Sequence, residues 1–103
     1  SFFLEEEIEY SSEVINKVLS KEGVKENLLE LTSLLEREDD FSIESLEGLV
    51  RSFCTQKGIR TKEIFHPLRV AVTGRTVGPG LFETLSLLGK EKVLRRLKQV
   101  VSI

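Results

Sequence analysis

Two arginines, Arg69 and Arg75, lie on either side of Gly74 and are the strongest candidates for chemistry in this sequence. A guanidinium is a planar fork of donors that can bind base edges or phosphates and can stack on a base. Gly78, Pro79 and Gly80 follow Arg75. Proline fixes its own φ and glycine adopts conformations that other residues resist, so this corner can hold nearby side chains in one place. The combination indicates a recognition surface suited to single-stranded RNA.

A second basic group lies in the last segment of the chain. Four of its cations are expected on the outer face of a helix, with freer side chains than Arg69, and these are Lys92, Arg95, Arg96 and Lys98. Charges of this kind attract phosphates without reading sequence, and the attraction weakens as salt rises. We therefore expect Arg69 to read bases and the last helix to supply charge.

The charges of the chain are divided between its two halves. Residues 1–50 hold 4 Lys and Arg against 14 Asp and Glu, whereas residues 51–103 hold 11 against 3. A protein divided in this way can bind a polyanion with one face and repel it with the other. Two alternatives remain open: a helical protein–protein interaction domain with opposed acidic and basic faces, or halves that pair with each other at the surface.

The sequence shows no catalytic constellation. His66 precedes a proline in an apolar segment and is expected to be buried or next to a helix kink, and Cys54 is expected to be a core thiol. One histidine and one cysteine cannot form a zinc site. The glycines of residues 74–80 match neither GxGxxG nor GxxxxGK[ST]. We expect these residues to contain no catalytic site and to bind no cofactor.

The length and the single cysteine limit the architecture. A chain of 103 residues is expected to form one domain, and one cysteine cannot form an internal disulfide, which indicates a reducing compartment. No apolar run is long enough to span a membrane, and the start does not resemble a signal peptide. We expect a monomeric, cytoplasmic domain over residues 1–103, with residues 1–10 frayed or a linker. The missing initiator methionine suggests a piece of a longer chain.

Apolar residues recur at helical spacing between caps and glycine stops, which predicts an all-α bundle of about six short helices. Leu34 and Ile43 are placed on the inward stripes, and Pro67 favours one kinked helix. Gly74 can end that helix in the left-handed conformation. The six helices are expected after Ser11-Ser12-Glu13, from about Val24 to Arg37, after the cap Ser42, after the cap Thr61, over Leu81–Leu88 and over Lys90–Val101.

The segment PLRVAVTGRTVGPGLFETLSLLGKEKVLRRL, from Pro67 to Leu97, closely resembles the carboxy-terminal end of bacterial glutamyl-tRNA synthetases. In that family a PLR-(apolar)-A-(apolar)-TG segment leads through a PGLFE corner into LLGKE and LRRL. The resemblance implies an all-α anticodon-binding domain of a glutamate–tRNA ligase, whose catalytic domain, outside this segment, uses ATP and Mg. It also implies the anticodon loop of tRNA(Glu) as the partner, with tRNA(Gln) as a second candidate.

The resemblance also implies site residues. In these synthetases the arginine of the PLR segment and the residues flanking the PG of the corner approach the anticodon bases. The matching positions are Arg69, Gly78 and Leu81, and Gly78 departs from the threonine of some members, so a hydroxyl contact is lost there. Helix packing remains an alternative for Leu81, and an ion pair with the acidic half remains one for Arg69. The same corner includes Arg75, Pro79 and Gly80.

Overall fold

A computed structural model describes Glu13, residues 15–19, Lys21, residues 23–74 and residues 80–101. Within these ranges there are six helical segments and no strand, which confirms the expected all-α bundle of about six short helices. The segments are π1 (Ile15–Leu19), a single π-helical turn, and the α-helices α1 (Val24–Arg37), α2 (Ile43–Lys57), α3 (Thr61–Thr73), α4 (Leu81–Leu88) and α5 (Lys90–Val101). The predictions on residues 1–10 and on the Ser11-Ser12 cap lie outside the described part of the chain.

Most helix ends follow the predicted capping chemistry. Ser42 caps α2 by accepting a hydrogen bond on Oγ from the backbone N–H of Ser45 at 3.3 Å. Gly58 and Gly74 end α2 and α3 with φ of 71° and 74°, a left-handed conformation that glycine adopts without the usual Cβ penalty. The prediction that Thr61 caps α3 is wrong. Arg60 precedes the first helical residue, and its backbone N–H donates to Glu63 Oε2 at 2.7 Å.

The central element is α3, which packs against each of the other five helical segments. Near its carboxyl end Val70, Ala71 and Val72 have no exposed surface, because neighbouring helices cover the backbone on several sides. Pro67 lies inside α3 and is buried, which confirms a single helix through this position, while the kink stays a prediction. Only one face of α3 therefore remains open to solvent.

Apolar side chains from all five α-helices form one core. Cys54 belongs to it with 2% of its surface exposed, as predicted. Leu34 and Ile43 were expected to point inward, and both expectations are wrong, since their exposed fractions are 37% and 39%. Leu34 lies beyond the stripe that Leu31 and Leu35 define, and Ile43 is the first residue of its helix. The core residues without exposed surface are Leu28, Leu31, Leu35, Leu46, Val50, Ile64, Leu68, Val70, Ala71, Val72, Leu85, Val93, Leu97 and Val100.

The helices are too short or too polar for a lipid bilayer. Among the described residues, none of them could cross a membrane.

Candidate nucleic-acid interface

Arg69 projects from the best-anchored part of α3. Its neighbours Leu68 and Val70 have no exposed surface, while Arg69 itself is half-buried. Its carbonyl oxygen accepts a hydrogen bond from Thr73 Oγ1 at 2.7 Å, and Gly74 N–H donates to the carbonyl of Val70 at 2.7 Å. The backbone that carries Arg69 is thus fixed by packing on one side and by hydrogen bonds toward the corner.

A shallow groove of about 350 Å³ lies beside Arg69 on the open face of α3. The side chains that line it are two cations, two aromatic rings and one hydroxyl, from Lys62, Arg69, Phe65, His66 and Thr61. None of the described residues in this lining carries a carboxylate. The groove therefore combines positive charge with aromatic surface, which is the combination that single-stranded nucleic acid binds.

The sequence interpretation missed most of this groove. His66 was expected in the core or beside a kink, but its side chain is exposed, so burial was the wrong expectation. Lys62 and Phe65 were not considered as site residues. The sequence did contain a signal for this groove. Lys62, His66 and Arg69 follow each other at steps of four and three residues, which places them on one helical face.

Phe65 forms the inner wall of the groove and is held by contacts from two other helices. Its ring meets the ring of Phe82 edge-on, with centroids 5.2 Å apart and planes at 85°. The guanidinium carbon of Arg51 lies 5.4 Å from the centroid of Phe65, close enough for a cation–π contact. Arg51 Nε also donates to Glu47 Oε2 at 2.8 Å. A second arginine besides Arg69 therefore stands close to this wall.

The corner after α3 is described only from Gly80 onward. Arg75, Gly78 and Pro79, three of the predicted site residues, lie outside the described residues. Gly80 precedes α4 with φ of −49°, a value that other residues adopt as readily, so the conformational freedom of glycine is not used at this position. A Cβ at this position would instead run into the carboxylate of Glu83. Leu81 is 5% exposed and belongs to the core, which favours helix packing, and its contact with RNA stays a prediction.

Arg96 does not stand on the outer face of α5, and that expectation is wrong. Its Nη1 donates to the carbonyl of Val72 at 2.7 Å, across to the last turn of α3. The carboxyl end of a helix presents unpaired carbonyls and a partial negative charge, so a guanidinium is favourable there. Val93 precedes Arg96 by three residues and Val100 follows it by four, and both are fully buried. Val93, Arg96 and Val100 therefore lie on the same, inner face of α5.

The other cations of α5 lie nearer to solvent. Lys92 is half-buried, and Arg95 is exposed with its Nη2 3.3 Å from Glu91 Oε1. Lys98 Nζ lies 3.1 Å from Glu36 Oε2 on α1. The expected outward position is confirmed for Arg95 and Lys98.

Three lysines pair with the acidic half of the chain. Besides Lys98, Lys57 Nζ lies 2.8 Å from Glu30 Oε1, and Lys90 Nζ donates to the carbonyl of Glu38 at 2.9 Å with Asp39 Oδ1 at 3.9 Å. The interpretation that the halves pair with each other therefore holds for these three side chains. Exposed pairs of this kind contribute little to stability. Lys62 has no such partner within the described ranges.

No three His, Cys, Asp or Glu side chains gather to hold a metal ion anywhere in the described segments. The fold and the groove define a small all-α domain with a basic, aromatic-lined surface on its central helix. The chain belongs to the anticodon binding domain family, whose pattern matches residues 1–101. This family is the one to which the sequence resemblance points.

Curated relatives of the chain are glutamate–tRNA ligases. The chain is 44% identical over 95 residues to the glutamate–tRNA ligase of Symbiobacterium thermophilum, covering 92% of the chain and 19% of the relative. It is 39% identical over 100 residues to glutamate–tRNA ligase 2 of Rubrobacter xylanophilus, covering 97% and 20%. It is 41% identical over 97 residues to the enzyme of Elusimicrobium minutum, covering 94% and 20%. The chain spans about a fifth of the length of these relatives. The resemblance to glutamyl-tRNA synthetases is thereby confirmed.

Proposed function

We propose that this domain binds the anticodon loop of tRNA(Glu), as the carboxy-terminal part of a glutamate–tRNA ligase. Family membership and the relatives' names support this proposal. The observation that carries it is the position of Arg69, which lines a basic and aromatic groove on the most enclosed helix of the domain. The bases of an anticodon loop can leave their stack, and such bases are what side chains in a groove can read.

Arg69 is proposed to read a base, because packing and hydrogen bonds restrain its backbone. A guanidinium discriminates between bases only if its fork stays at a fixed distance and angle. Burial of Leu68 and Val70 restrains that backbone on one side, and the hydrogen bond from Arg96 to Val72 restrains the following turn. Lys92 and Arg95 lie on α5, nearer to solvent, and are proposed to attract phosphates without reading bases.

The chemistry of ligation is proposed to take place in the rest of the parent enzyme. A glutamate–tRNA ligase activates glutamate with ATP and Mg, and the 103 residues of this chain would contribute only tRNA binding. We further propose tRNA(Gln) as a second tRNA partner, a monomeric state for the domain and a cytoplasmic location.

A hairpin RNA with the anticodon arm of tRNA(Glu) tests the proposal directly. The full-length protein should bind this hairpin more tightly than a hairpin with an unrelated anticodon loop on the same stem, and binding should weaken as salt rises. A version of the protein that ends before Glu13, and so lacks the described domain, should lose that preference. Equal affinity for both loops at low and high salt would contradict anticodon binding and would favour a protein-docking domain.

A further inference from the structure

The open face of α3 carries a row of three polar side chains. Lys62, His66 and Arg69 follow each other at helical steps of four and three residues, while the buried residues of α3 fill its other faces. The distance from Lys62 to Arg69 along the helix axis is about 10 Å, at 1.5 Å per residue. The row therefore spans about two helical turns.

Grooves lie on both sides of this row. The groove of about 350 Å³ with Phe65 as its wall lies on one side. A second groove, of about 380 Å³, lies between α3, α1 and π1 and is also lined by Lys62 and His66. Lys21 and Asn27 line its opposite side. Lys62 and His66 thus form a ridge with open space on either side. From this ridge the imidazole of His66 and the ammonium of Lys62 can reach an RNA strand.

The two side chains of the ridge are not occupied by other groups that the structure describes. Neither Lys62 nor His66 forms a hydrogen bond or an ion pair through its side chain with any residue that the structure describes. The adjacent carboxylate of Glu63 accepts a hydrogen bond from the backbone of Arg60 at 2.7 Å, which holds it at the start of α3. Glu63 also lines the second groove, so among the described residues only the groove beside Phe65 is lined without a carboxylate.

We propose that Lys62 and His66 form a second nucleotide subsite, adjacent to the one at Arg69, in which His66 stacks on a base and Lys62 pairs with a phosphate. This inference deepens the proposed function and depends on it. Stacking on a ring tolerates every base, so this subsite would add affinity without selecting sequence. Stacked nucleotides are spaced by about 3.4 Å, so a row of roughly 10 Å spans about three of them. His66 and Arg69 accordingly contact different nucleotides.

Four variants of the full-length protein separate stacking from charge. His66→Ala should weaken binding of the tRNA(Glu) anticodon hairpin by about tenfold with an unchanged salt slope, and His66→Phe should restore it. Lys62→Ala should lower the salt slope by about 0.7, the effect of one phosphate contact on a single strand. Lys57→Ala removes the same charge from a position paired with Glu30 and should leave the affinity unchanged. If His66→Ala binds like wild type, or if Lys62→Ala and Lys57→Ala act alike, the subsite does not exist.

Hairpins with an abasic site at one loop position at a time identify which nucleotide His66 contacts and which Arg69 contacts. The effect of His66→Ala should vanish at one abasic position, and the effect of Arg69→Ala should vanish at another. Loss of both effects at the same position would overturn the second subsite while leaving anticodon binding intact. A wild-type protein that does not prefer the tRNA(Glu) loop would instead refute the proposed function itself.

Discussion

Arg95 and Arg96 are adjacent residues of the same type with different surroundings. Arg95 faces solvent beside Glu91, one turn away on the same helix. Arg96 reaches across to α3 and donates to the carbonyl of Val72, and its Nε is buried without a hydrogen-bond partner among the described residues. Arg96 is therefore a positioning residue for the end of α3, whereas Arg95 contributes charge.

Replacing Arg96 by alanine should destabilise the domain, because the bond between a charged donor and a helix-end carbonyl is lost. We expect the free energy of unfolding to fall by about 1–3 kcal/mol. Arg95→Ala, the matched control, should stay within about 0.5 kcal/mol of wild type. Urea denaturation of the two variants measures the difference. Equal effects would show that the contact with Val72 does not stabilise the fold.

Cys54 should make stability depend on pH above neutrality. Burial raises the pKa of its thiol, and the charge of Glu63 adds to that rise against an opposing effect of Arg51. A raised pKa means that the folded state keeps its proton when the unfolded state loses it, so stability is full below about pH 8.5 and falls at higher pH. Urea denaturation of wild type and Cys54→Ala between pH 7 and 10 should show the steeper decline in wild type. Identical slopes would contradict this assignment.

Among the elements, α3 organises the domain because every other helical segment packs against it. Its ends are defined by backbone chemistry, with Glu63 at the start and Gly74 at φ of 74° at the end.

Gly48 inside α2 and Gly58 just after its end should respond to alanine in opposite directions. Gly58 has φ of 71° and a Cβ there would meet nothing within 4 Å, so Gly58→Ala should cost about 1–2 kcal/mol from conformation alone. Gly48 lies inside the helix with equally open space, so Gly48→Ala should add about 0.5–1 kcal/mol through better helix propensity. Thermal or urea unfolding of both variants checks the signs. A gain in stability for Gly58→Ala would contradict the left-handed cap.

Local patterns in the sequence predict the helices well, because caps and glycine stops act within a few residues. Ser42, Gly58 and Gly74 are examples in which the expected chemistry is present. The groove could not be predicted in the same way, since exposure of His66 depends on how α1 and α3 pack. Arg96 is an intermediate case. Its spacing from Val93 predicts an inward position, but its charge suggested a solvent-exposed one.

For the whole molecule, the divided charge is only partly neutralised. Lys57, Lys90 and Lys98 are matched by acidic groups or a carbonyl from the first half. The described lining of the groove beside Arg69 includes two cations and no carboxylate. The pairing of the halves therefore leaves positive potential on the open face of α3, where the proposed RNA contact lies.

The most direct test of base reading at the groove is the affinity of the full-length protein for tRNA(Glu) and for variants with one changed anticodon base. In wild type we expect a clear preference for the correct anticodon. Arg69→Ala should lose about 1–3 kcal/mol of that discrimination, the scale of a good contact between arginine and a base. Arg95→Ala should weaken all the tRNAs alike and reduce the salt dependence. If Arg69→Ala also weakens every tRNA equally, or changes none of them, Arg69 does not read the anticodon.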